Sequence, residues 1–172
     1  EPQAVRHLVS NFSDPEVGGV CGNQKYRLGR HGDSAREGEN LYWSYDKWIK
    51  RLETRLGSCV AADGSIYAVR KRLFVSIGNP AQADDFAISA RVVTQGYRLV
   101  FEPEAVSYED PPVSSEREFR RKVRVTNHSL RGIFNLPEAL LPWRFGFYTI
   151  ELLSHKVLRH LAVFHELRVA AP

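Results

Sequence analysis

Methionine is missing altogether from the 172 residues, position 1 included, and cysteine occurs only at Cys21 and Cys59. Two cysteines with nothing else at ligand spacing mark neither a disulfide scaffold nor a zinc site. The economical reading is a pair of reduced thiols in a reducing compartment. His7, His31 and His128 also lack metal-ligand spacing and are not read as ligands. No apolar run approaches the ~20 residues of a membrane-spanning helix, and no signal peptide is visible. Internal repeats and low-complexity tracts are absent too. A chain without an initial Met reads as processed or excised from something longer.

What is present describes a folded α/β unit. Hydrophobic residues make up 43% and charged residues 26%, which excludes disorder as the default, and the length suits one domain with a substantial core. The net charge of +4 and isoelectric point of about 9.2 suit a phosphate-bearing partner, whether nucleic acid, sugar nucleotide or anionic membrane. The charge is too small to choose among them.

Along the chain, residues 2–12 read as a short helix with Val5, Leu8, Val9 and Phe12 inward. A buried strand from Val17 to Cys21 follows, then a Gly- and Arg-rich loop over 23–38. From Glu39, Leu41, Tyr45, Trp48, Leu52 and Leu56 recur at helical spacing, and Gly57 closes that amphipathic helix. An Asp63-Gly64 turn leads into a short strand, Ser65 to Val69. The acidic pair Asp84-Asp85 then opens a helix running to about Gln95, where carboxylates complement the backbone dipole. Two short strands, Tyr97–Phe101 and Ala105–Tyr108, are expected on either side of Pro103. Strands alternating with helices point to an α/β layer architecture, with few strands for the length.

The helix expected over 114–135 carries a second pattern. Phe119, Val123, Thr126, Leu130 and Ile133 form the face expected to be buried, and Ser114 or Ser115 can cap the start. Arg117, Arg121, Arg124, His128 and Arg131 repeat the same spacing on a neighbouring face. Such a stripe is ordinarily a solvated surface. It also suits phosphate, since guanidinium forks bind phosphate oxygens bidentately. No aromatic interleaving or recognition-helix pattern accompanies it, which argues against nucleic acid. Further on, Phe147, Ile150, Leu153, Val157, Leu161 and Phe164 make another amphipathic helix, with His155, Lys156, Arg159 and His160 away from the apolar seam.

Five segments in order resemble the second half of the catalytic domain of the family 2 glycosyltransferases, the membrane-associated GT-A type that builds polysaccharides. "DPEVGGVCG" is similar to the strand after that family's metal-binding D-x-D. "VAADGSIYAVRKRLF" is similar to its small-residue segment beneath the acceptor. "ADDFAISARVVTQGYRLVFEPEAVSYE" resembles its acidic dyad, helix and G-Y-[RK]-x-x-[YF]-x-P run. "EFRRKVRV" stands at the place of Q-x-x-R-W, and "LLSHKVLRHL" resembles the stretch before a membrane segment.

The resemblance implies a partial GT-A fold, an acceptor-side portion over 1–142 and an amphipathic, membrane-interface helix over 143–172. It implies Asp85 as general base on the acceptor hydroxyl with Asp84 as its acidic neighbour, chemistry an inverting transfer requires. It also implies Asp63, Gly64 and Ser65 as the acceptor-side turn, where small residues let a sugar approach the backbone. Arg124 would contact the donor diphosphate. Arg121 stands where Gln is usual and Val125 where Trp is usual, which argues against processive synthesis.

A divalent metal, Mg or Mn, is expected through a D-x-D upstream of Glu1, with none held by this chain, so the chain alone should be inactive. Implied partners are a nucleotide-diphospho-sugar donor, a glycan or lipid-linked acceptor and the membrane, with no nucleic acid. The implied place is the cytoplasmic face of a bacterial-type inner membrane. Self-association through an exposed sheet edge is a further expectation. The rival reading is a non-catalytic basic module for nucleic acid or anionic lipid.

Overall fold

The computed structural model of the protein describes residues 1–27, 34–75, 85–110 and 115–158, with the side chains of 34–43, 115, 117–119 and 121–122 outside that description. Val17–Tyr26 forms a long central strand, β1, flanked by β2 (Tyr67–Val69) and β3 (Arg98–Glu109) in the order β2-β1-β3. β1 pairs antiparallel with β2, Val20 opposite Ala68, and parallel with β3, Val20 opposite Val100. Helices surround this small sheet: α1 (Ala4–Ser10), α2 (Ser34–Leu56), α3 (Asp85–Thr94) and α4 (Ser115–Phe134). Two short helices, α5 (Pro142–Phe145) and α6 (Phe147–Leu152), follow, and a π-helical turn covers Leu153–Leu158.

Side chains alternate across a strand, so the sheet feeds two cores. On one side Val17, Val20, Val100 and Ala105 pack with Leu8 of α1. On the other, Cys21, Leu99 and Phe101 meet Phe86 and Ala90 of α3, Ile133 of α4, and Tyr148 and Leu152 of α6. Helix α4 approaches α3 closely at Gly132, where a Cβ would lie 2.6 Å from the Phe86 ring. Both cysteines are buried free thiols. Burial, above all, pushes the Cys59 thiol up.

Several expectations change. The loop expected from residue 23 begins later, because β1 runs on to Tyr26. Asn23 and Gln24 are polar yet buried: the Asn23 amide donates to the Pro103 carbonyl at 2.9 Å, and the Gln24 amide donates to Glu109. Helix α2 begins at Ser34, inside the expected loop. β3 is one strand rather than two, and Pro103 sits where its register against β1 jumps between Cys21 and Asn23, a bulge that removes the need for its missing N–H. β2 is shorter than the Ser65–Val69 expected.

Helix faces change more. On α1, Leu8 is buried but Val5 and Val9 face solvent, and Phe12, in the turn that follows, is partly buried. On α2 the apolar residues Tyr45, Trp48 and Leu56 are exposed, while Lys50 and Glu53 are buried. On α4, Ile133 is buried and Thr126 and Leu130 half-buried, whereas Val123 is exposed; Phe119 and the Ser114 and Ser115 caps lie outside the described side chains. In the last helical stretch Phe147, Ile150 and Leu153 are exposed. His155 and Lys156 instead turn onto the domain, at Glu53 and over the Phe86 ring. Leu161, Phe164, Arg159 and His160 lie outside the described residues.

Candidate functional site

The segment 58–62, between α2 and β2, is held from every side by hydrogen bonds. The Cys59 N–H donates to the Leu99 carbonyl at 2.7 Å, and the Leu99 N–H donates to the Ser58 hydroxyl at 3.2 Å. The Val60 N–H donates to Glu53 Oε2 at 3.2 Å, and the Val60 carbonyl accepts the Tyr148 hydroxyl at 3.1 Å. The Ala62 N–H donates at 3.1 Å to the Ser89 hydroxyl, which itself donates to the Phe86 carbonyl. Small residues here let α2, α3 and β3 converge on one stretch of backbone. Its end leads into the Asp63-Gly64-Ser65 turn, which meets the first turn of α3 at Asp85.

Asp85 stands at the start of α3, partly exposed. Its Oδ1 accepts its neighbour's backbone N–H, Phe86, at 2.8 Å. Its Oδ2 lies where the missing side chain of Gly64 would be: a Cβ on Gly64 would come within 2.8 Å of it. Gly64 and Ser65 are exposed. The carboxylate therefore rests over a bare, solvent-facing turn, in a place that only glycine leaves free. A carboxylate so placed can accept a proton from a hydroxyl lying along the turn.

Asp63 points the other way. Its carboxylate pairs with the Lys50 ammonium, which also lies 3.1 Å from Asp46. Lys50 is buried and sits 6.0 Å above the Phe101 ring. Burial would lower its pKa, but the Asp63 and Asp46 carboxylates outweigh this and hold it well above the usual ammonium range. Sequence periodicity had no reason to single out Lys50, because it lies off the apolar stripe of α2. The buried acidic group beyond it comprises Glu53, with Oε1 2.8 Å from His155 Nδ1, and Glu151.

Arg124 is exposed on α4 and lines a shallow groove of about 390 Å³ with Arg120, Val123, Asn127, His128 and Arg131. It is eight residues, about 12 Å of helix, from Gly132, where α4 touches α3. The structure thus sets the Asp63-Gly64-Ser65 turn against Asp85, whereas Arg124 lies further along α4 from its contact with α3. Asp84 and the Arg121 side chain lie outside the described residues. Among the described residues no three His, Cys, Asp or Glu side chains gather as a metal site, and no helix is long and apolar enough to cross a membrane.

The family described as glycosyl transferase family group 2 matches residues 1–168 of the chain. No curated protein matches it.

Proposed function

Because the chain belongs to glycosyl transferase family group 2, we propose that it forms the acceptor-side part of an inverting GT-A transferase. The reaction moves a sugar from a nucleotide-diphospho-sugar to a glycan or lipid-linked acceptor. The observation that supports this best is the Asp85 carboxylate lying over the bare Gly64 turn. In this reading the acceptor hydroxyl lies along Asp63-Gly64-Ser65 and Asp85 takes its proton as the oxygen attacks the anomeric carbon. Asp84, the residue before it in the sequence, is the second acid of this reading.

Arg124, with Arg121 on the same stripe, would meet the donor diphosphate, and the groove beside Arg120, Asn127, His128 and Arg131 suits an anion. In this reading a divalent metal, Mg or Mn, would supply the charge that neutralises the donor diphosphate, and no residue of this chain is assigned to hold it. Trp143, Phe147, Ile150 and Leu153, all exposed, would rest against the cytoplasmic face of the membrane.

The test is Asp85→Asn in the full-length protein that carries this chain. Transfer should fall to background while the nucleotide-sugar donor binds as before. Turnover close to wild type in that variant overturns the assignment of the base.

A further inference from the structure

We infer that Lys50 is a positioning residue for transfer: from α2 it holds the Asp63-Gly64 turn in the one place that fits beneath Asp85. The inference rests on the proposed role of Asp85.

Lys50 is 8% exposed, an unusual place for an ammonium, and it is matched by two carboxylates with different locations. Asp46 lies one turn earlier on the same helix, 3.1 Å away, and travels with Lys50. Asp63 belongs to the turn, and its pairing with Lys50 is the side-chain link seen between α2 and that turn. The residue after Asp63 is Gly64, whose Cα hydrogen faces Asp85 Oδ2 with no room even for a methyl group.

The helix end of this link is anchored. The Lys50 carbonyl accepts the Thr54 hydroxyl at 2.8 Å, and that hydroxyl also accepts the Phe101 N–H at 2.9 Å. The α2 terminus is held by Arg98, whose guanidinium donates to the carbonyls of Gly57 and Thr54, each at 2.9 Å. Lys50 therefore reaches out from a rigid helix and fixes an exposed turn by its ion pair. Losing the ammonium leaves Asp63 unpaired, pushes it toward water and carries Gly64 with it. The hydroxyl bound along the turn then no longer lines up with Asp85. Misplacement by about 1 Å costs roughly a hundredfold in rate.

The experiment measures transfer by the full-length protein in Lys50→Met, Lys50→Arg, Asp63→Asn, Asp46→Asn and Asp85→Asn, with circular dichroism and melting temperature for each. Lys50→Met should lose about tenfold to a hundredfold in kcat with the donor KM unchanged, and Lys50→Arg should recover most of the loss. Asp63→Asn should lose kcat as Lys50→Met does, whereas Asp46→Asn, which removes the partner on the helix, should keep most of it. A folded Lys50→Met with wild-type kcat, beside an inactive Asp85→Asn, overturns the inference alone. If Lys50→Met does not fold, equal kcat losses in Asp63→Asn and Asp46→Asn overturn it. An Asp85→Asn that turns over normally removes the role of Asp85 itself, and the inference with it.

Discussion

Gly64 is the residue at which local chain chemistry and proposed catalysis meet. A Cβ there would lie 2.8 Å from Asp85 Oδ2, closer than carbon and oxygen pack. The clash is with the far end of a side chain, so Gly64→Ala should fold: the turn is exposed and its backbone is not left-handed. Stability should change by less than about 1 kcal/mol, while the carboxylate must swing off the turn. Transfer by the full-length protein should fall about tenfold or more. A variant with normal kcat would show that Asp85 does not need its present position. Asp63, Gly64, Ser65 and Asp85 were singled out in the sequence by motif order, and the fold sets Gly64 against Asp85. Lys50 was not singled out, since a lysine on an amphipathic helix reads as solvated until its partners are placed around it.

At the scale of elements, periodicity found the helices and misjudged what they face. The 3.6-residue pattern in α2 is real, and Tyr45 and Trp48 even stack, with ring centroids 6.2 Å apart. Yet the side turned to the domain is the one carrying Lys50 and Glu53, because Asp63, His155 and the Val60 N–H satisfy those charges. A pattern reports that a face is apolar, not what covers it. β1 illustrates the same limit: Asn23 and Gln24 look like loop residues until the Pro103 carbonyl and Glu109 accept from them.

The Arg-lined groove of α4 would take the donor diphosphate while Asp85 acts on the acceptor, so donor binding and turnover should separate experimentally. Arg124→Ala should weaken nucleotide-diphosphate binding to the full-length protein about tenfold to a hundredfold, the loss of a charge-assisted hydrogen bond. Calorimetric titration checks it, and unchanged affinity removes Arg124 from the donor site.

Across the whole molecule, one buried cluster ties the last helix to the rest. Glu53 of α2 faces His155, Tyr148 of α6 reaches the Val60 carbonyl, and Glu151 lies among them at 5% exposure. Burial, and then the Glu53 charge, pushes Glu151 up to about 7 from an ordinary 4.5. A raised carboxylate favours the folded state while it stays protonated. The contribution of Glu151 is therefore complete below about pH 4.5, and it fades as pH rises through about 7, where the folded protein must also ionise this buried group. Glu151→Gln is neutral at every pH and keeps nearly the same shape, so it escapes that loss. Thermal melts of variant and wild type between about pH 5 and about pH 8 should diverge, the variant gaining relative stability as pH increases. A constant difference across that range would mean that Glu151 titrates alike folded and unfolded. The α6 end would then be held by Tyr148, Leu152 and the Glu53–His155 pair without help from a proton on Glu151.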